Sequence, residues 1–173
     1  SLACDYRIAR DNSSTKIGLP EIKLGLIPGW GGTQRLPRVV GLTNALSLIL
    51  QGKHLSASEA AKIGLIDRAI DPENWESEVA EFIVQILEEE VVSQSGRKQP
   101  LIQKWLEATA LGRSLIFTAA EKKIRSKSSH YPALKSAIKA VRASYGLRPD
   151  GFMAERNEFV DLLATPTCRN LLQ

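Results

Sequence analysis

Apolar and polar residues alternate most tightly in two short runs near the start, residues 4–9 and 16–19. They flank the polar stretch 10–15, a pattern that predicts two short strands around a turn. The period then lengthens to that of helices. Residues 33–40 read as a short helix closed by Gly41, and a second runs to Gln51 with Thr43 as its N-cap and Gly52 as its stop. Ser56 and Glu59 stand at capping-box spacing before a third, which ends at Gly64. Residues 65–70 form an apolar, β-branched run and predict a short strand. Asp71-Pro72 then opens a helix with a side-chain cap followed by proline at the first position. Val79, Phe82, Ile83, Ile86 and Leu87 fall on one face of that helix, and Glu88, Glu89 and Glu90 read as its solvated end.

Residues 91–100, rich in Ser, Gly, Gln and basic residues, read as a linker. Beyond it the pattern is helical throughout. Helices are expected over 101–110, 113–127 and 132–145, the last with Leu134, Ile138, Val141 and Tyr145 on one face. Asp150 is placed to cap a fourth, carrying Phe152, Phe159 and Leu162 or Leu163, and Thr165-Pro166 starts a fifth. Trp75 and Trp105 read as helix-face core residues. The chain therefore reads as α/β, with a mixed part over 1–90, a linker over 91–100 and a helical region over 101–173.

Composition narrows the classes. With 173 residues, 43% hydrophobic and 24% charged, the chain has the make-up of a soluble domain with one core. No apolar run is long enough to cross a bilayer, and the opening SLACDYRIARD lacks the basic and apolar regions of a signal peptide. The absence of an initiator Met and the start inside an apolar stretch carry the expectation of a piece of a longer chain. Cys4 and Cys168, far apart and without metal spacing, read as ordinary thiols. His54 and His130 are isolated, so no metal is expected, and no Ser-His-Asp or Cys-His set stands out. The net charge is +4, with Lys122, Lys123, Arg125, Lys127, Lys135, Lys139 and Arg142 crowded in the second half. At helical spacing they form a solvated face or meet a phosphate-bearing ligand. Nucleic acid is not expected as a partner, since no aromatic residues interleave with these charges.

The chemistry concentrates in residues 20–38, PEIKLGLIPGWGGTQRLPR. Pro20 and Pro28 stiffen the segment, while Gly25, Gly29, Gly31 and Gly32 permit conformations or approaches that a Cβ forbids. Such a loop brings main-chain N–H groups close to a ligand, with the Glu21 carboxylate beside it to move a proton. Phosphate-loop readings fail. Gly32 is followed by Thr33, Gln34 and Arg35 rather than Lys then Ser/Thr, and the last glycine of a dinucleotide fingerprint is missing. Trp30 reads equally as a lining of a ligand pocket or as a packing anchor. Arg35 and Arg38 are placed to pair with helix-end groups, and Tyr131-Pro132 reads as a turn.

This segment resembles the signature of the crotonase superfamily, the enoyl-CoA hydratases and isomerases. Gly52-Lys53, Ala57, Ala60 and Gly64-Leu65-Ile66-Asp67 continue the likeness, and LACDYRIA is similar to the strand that precedes the signature. LGRSLIF, Tyr131-Pro132-Ala133 and ERNEF (155–159) are similar to one subgroup, the multifunctional fatty-acid oxidation α subunits. The resemblance implies the C-terminal part of a crotonase β-spiral followed by helices that lead toward a 3-hydroxyacyl-CoA dehydrogenase domain. It implies hydration of trans-2-enoyl-CoA, isomerisation of 3-enoyl- to 2-enoyl-CoA, or both, on an acyl-CoA thioester. Carried over residue by residue, Glu21 matches one of two catalytic glutamates and Gly29 the glycine whose N–H holds the reacting water or hydroxyl. A carboxylate among Leu19, Ile22 and Leu24 suits a proton shuttle. With an acyl-CoA as ligand, the pocket-lining reading of Trp30 makes it a candidate substrate-binding residue beside Gly29. The second glutamate and the oxyanion hole belong to segments upstream of Ser1, so these residues alone are expected to be inactive. No cofactor is implied for this step, and NAD only for the dehydrogenase. Implied partners are a thiolase β subunit or further copies of the chain, in the bacterial cytoplasm or the mitochondrial matrix. The alternatives are a non-catalytic assembly piece and a relative acting on another acyl-CoA.

Overall fold

Two short strands, β1 (Ile8–Arg10) and β2 (Ile17–Gly18), follow the start of the chain, but they do not pair with each other. The polar stretch between them is a local turn in which the Asn12 side chain accepts from the amides of Ser14 and Thr15. Each strand finds a later partner instead. The computed structural model describes residues 1–88 and 100–173, so all but Pro100 of the linker expected at 91–100, and Glu89 and Glu90 of the expected helix end, lie outside the described residues.

After β2 comes a 3-10 turn, Pro20–Leu24, then α1 (Gly32–Val40) and α2 (Leu42–Gln51). Gly41 and Gly52, both at positive φ, stop the two helices where the sequence predicts. The N-cap of α2 differs. Thr43 lies inside the first turn, and the Glu107 carboxylate, from a distant helix, accepts from the amides of Leu42 and Thr43. A strand that the sequence pattern misses, β3 (His54–Leu55), pairs antiparallel with β2. Two residues are too few to show a period. Gly18 is required there, since an added Cβ would run into the Lys53 carbonyl oxygen. The capping box of Ser56 and Glu59 opens α3 (Ala57–Lys62) as expected. The apolar run that follows is strand only at β4 (Arg68–Ile70), which pairs parallel with β1, Ile8 opposite Arg68. Asp71 caps a 3-10 turn, Pro72–Asn74, before α4 (Trp75–Leu87).

The expected apolar face of α4 is not a core face. Phe82 alone is buried, against Tyr6 and beneath Arg68, while Ile83 and Leu87 are exposed. Trp75 is half-buried under Arg10, and Trp105 is 69% exposed, so neither is a core residue. Thr109 divides α5 (Leu101–Ala108) from α6 (Ala110–Ile124) and caps the second through the Gly112 amide.

The remaining helices are α7 (Ala133–Ala143), α8 (Arg148–Leu163) and α9 (Pro166–Leu171). Leu134, Ile138 and Val141 of α7 are buried as predicted, whereas Tyr145 is partly exposed against Phe117. Asp150 sits in the first turn of α8 rather than at its cap, and Leu162, not Leu163, faces inward. Thr165 caps α9 as expected.

One apolar core joins Leu36 and Val40 of α1, Leu42, Leu46 and Ile49 of α2, Phe117 and Ile124 of α6 and the buried face of α7. Elements on both sides of residues 89–99 thus share it. Fully burying one Leu, Ile or Phe contributes about 1.5–3 kcal/mol. The result is α/β as expected, with helices in the larger share and only short, two-stranded sheets among the described residues. No helix among them is long and apolar enough to cross a membrane.

Candidate active site

Glu21 stands in the 3-10 turn Pro20–Leu24, which Pro20 starts with its fixed φ and Gly25 ends in the left-handed region. The turn is tied from a distance. The Tyr131 hydroxyl donates to the Ile22 carbonyl at 2.7 Å and accepts from the Gly25 amide at 3.1 Å. Ile22 itself is buried, so the turn cannot roll and Glu21 is held in a set direction. Its Oε2 is buried and has no hydrogen-bond partner. A buried carboxylate oxygen without a partner costs free energy in a structural role, and is what a group that exchanges a proton with a ligand requires.

The loop after Gly25 runs inward and then out. Leu26, Ile27 and Pro28 are buried, and Gly29 is half-buried. The Gly29 N–H donates to no group among the described residues. Trp30 follows at φ 55, the one non-glycine residue at positive φ among those described, with its side chain fully exposed. Gly31, at φ 80, leads into α1, where an added Cβ would meet the Arg35 guanidinium and the Phe152 ring. Of the residues singled out from sequence, Glu21 and Gly29 thus lie in one short segment with an unpartnered carboxylate oxygen and an uncommitted amide. Trp30 projects to solvent.

Three residues to which the sequence reading assigns no part in the site hold this segment. Glu155 of α8 is buried and accepts from the Gly31 amide at 2.6 Å, the Thr33 amide at 2.9 Å and the Thr33 hydroxyl at 2.6 Å. Gln34, also buried, donates to the Thr33 hydroxyl oxygen and to the Ala140 carbonyl of α7. Tyr131 is the third. For Glu155 a signal exists in the pattern: Phe152, Glu155, Phe159 and Leu162 share one helical face, so a charge stands at a core position. Arg38 meets a helix-end carbonyl as expected, that of Ser144 at the end of α7, whereas Arg35 donates to the Trp30 carbonyl in the loop before α1.

The basic cluster lines a groove of about 840 Å³ between α6 and α7, with Lys122, Arg125, Lys135, Lys139 and Arg142 on its walls. Two of its cations are already paired, Arg142 with Glu121 and Lys139 with Glu158. The hydrogen bond to Glu158 holds the Lys139 ammonium above its ordinary range, with the Glu158 charge adding to it. Among the described residues no group of three or more His, Cys, Asp or Glu side chains is placed to hold a metal ion. Cys4 and Cys168 are free thiols, one exposed and one buried.

A family model described as enoyl-CoA hydratase/isomerase matches residues 1–110. The fatty acid oxidation complex subunit alpha of Vibrio cholerae is 41% identical over 170 residues, which cover 95% of this chain and 23% of that protein. The protein of the same description from Idiomarina loihiensis is 41% identical over 179 residues, covering 100% of this chain and 24% of its own length. The chain thus spans about a quarter of the length of the curated relatives it matches. Among solved structures, the enoyl-CoA hydratase of Bacillus anthracis matches at 25% identity with a TM-score of 0.44, over 95% of this chain and 48% of that one.

Proposed function

From a chain that belongs to the enoyl-CoA hydratase/isomerase family, we propose that Glu21 moves the proton in the hydration of a 2-enoyl-CoA or the isomerisation of a 3-enoyl-CoA. In hydration, the water oxygen bonds to C3 of the enoyl thioester and a proton is delivered to C2, so the sum is addition of H and OH across one double bond. Glu21 supplies or takes that proton, and the Gly29 N–H orients the water or the new hydroxyl. In isomerisation a single carboxylate takes a proton from C2 and returns it at C4, with the double bond moving between them. Both steps balance without a cofactor. The observation that carries this reading is the buried Glu21 Oε2 without a hydrogen-bond partner, in a turn fixed by Pro20, Gly25 and Tyr131.

The parent protein, in this reading, is a fatty-acid oxidation α subunit of a bacterial cytoplasm that works with a thiolase partner. Negative charge that develops on the thioester oxygen needs further N–H donors, which the resemblance places in sequence upstream of Ser1. Substitution Glu21→Gln in the full-length protein keeps the shape and removes the exchangeable proton. Crotonyl-CoA hydration is expected to fall at least ~10²-fold, and the 173 residues run alone as a second arm are expected to give no turnover. An unchanged rate in the Gln variant overturns the assignment.

The exposed Leu101, Ile102 and Trp105 of α5, with Leu111 and Leu115 of α6, favour a second role in assembly.

A further inference from the structure

The first turn of α1 needs acceptors for amides that have no partner within the helix. The residue at its N-cap is Gly31, which offers no side chain, and no local side chain caps the helix. The acceptor comes from 122 residues away in sequence. Glu155, on α8, is 4% exposed and places one oxygen on the Gly31 amide and the other on the amide and hydroxyl of Thr33. A carboxylate at a helix N-terminus is favoured by the helix dipole, and bonds to an ionised acceptor are roughly twice as strong as neutral ones.

Two neighbours of Glu155 on α8 close around the same loop. The Phe159 ring lies 3.7 Å from the position a Cβ on Gly29 would take, and the Arg35 guanidinium is stacked on Phe152 at 5.0 Å. On the far side Gln34 carries the network on to Ala140 of α7. The loop so enclosed contains Gly29, Gly31 and Gly32 and has little stiffness of its own. Among the described residues, the one bond between its own backbone groups ahead of α1 runs from the Gly32 amide to the Gly29 carbonyl at 2.9 Å.

On the reading of Glu21 and Gly29 given above, we infer that Glu155 is a positioning residue of the reaction. It does not touch the substrate. It fixes the amides of Gly31 and Thr33, and through the Gly29–Gly32 turn it sets where the Gly29 N–H points relative to Glu21. Geometry of this kind controls rate more than affinity, because misplacing a reacting group by ~1 Å can cost about 10²-fold.

The test uses the full-length protein and crotonyl-CoA. Glu155→Gln keeps the volume but turns an NH₂ toward one of the amides it now accepts from. The expected result is a kcat about tenfold to a hundredfold lower with KM changed less than about twofold. Leu162→Ala, on the same helix and away from the loop, serves as the stability-matched control. A kcat loss in Glu155→Gln no larger than that of Leu162→Ala at equal loss of Tm overturns the inference. If Glu155→Gln does not fold, Thr33→Val, which removes one of the three bonds to Glu155 together with the bond from Gln34, decides in its place. A fall in its kcat supports the inference, and an unchanged kcat overturns it. Glu21→Gln in parallel keeps the two proposals separate: full activity there defeats the reading of the site, whereas loss there with an unaffected Glu155→Gln defeats only the positioning role.

Discussion

Tyr131 shows how much one hydroxyl can do for a site that it does not belong to. Its O–H donates to the Ile22 carbonyl and its oxygen accepts from the Gly25 amide, the two residues that close the turn carrying Glu21. Tyr131→Phe removes both bonds and leaves the ring. Each is worth about 1 kcal/mol net, and the Gly25 amide keeps its second acceptor, the Ile22 carbonyl at 3.1 Å. A loss of about 1–2 kcal/mol in a urea melt is expected, with the midpoint shifted and the slope unchanged. Glu21 and Gly29 are legible in the sequence because proline and glycine at fixed spacing write the loop into a short stretch. Glu155 and Tyr131 are not legible in that way, because their partners are more than a hundred residues away. What the sequence does show is a charge among the apolar positions of α8, a buried carboxylate without its partner named.

Helix ends govern the element scale. Where the cap is local, as at Ser56, Asp71 and Thr165, sequence and structure agree. Where it is distant, as with Glu107 at α2 and Glu155 at α1, Thr43 and the glycines give no guide. Ser56→Ala is expected to cost about 1 kcal/mol, read by thermal or chemical melting. The reciprocal partner Glu59 is held below the ordinary carboxylate range, by the Ser56 amide first and Lys53 second. A lowered value in the folded state means that its contribution is present above the ordinary carboxylate range and fades as pH falls through the folded value. The Tm difference between the parent protein and Glu59→Gln is expected to vanish on acidification, and a difference that stays constant with pH counts against the assignment. The strands are the least legible elements. At two and three residues they carry too little period, and their pairing with β3 and β4 depends on approaches such as Gly18 to Lys53.

At the scale of the whole molecule the apolar residues divide unevenly. The core gathers Leu36, Val40, Leu42, Ile49, Phe117 and Val141 from both sides of residues 89–99, while α5, α6 and the outer face of α4 keep large apolar side chains in water. Helical periodicity predicts that such faces exist, as in α4, but not which of them finds a partner, which is why Trp75 and Trp105 are read as core. Leu101, Ile102, Trp105, Leu111 and Leu115 together predict self-association of the 173-residue chain on its own. Light scattering above the monomer mass is expected, and replacing Trp105 and Leu111 with serine is expected to reduce it. Monomeric behaviour at every concentration is the contrary outcome.

The clamp of Glu155 on the first turn of α1 also sets an order in time. Thr33 leaves the ribosome 122 residues ahead of the carboxylate that caps it. At ~5–20 residues per second, that is a wait of roughly 6–24 s. Through that interval the glycine loop has no anion to hold its amides, so the nascent site stays open until α8 is made. Assembly of the site is therefore among the last events of synthesis for this stretch of chain, well after the strands and helices around Glu21 have emerged.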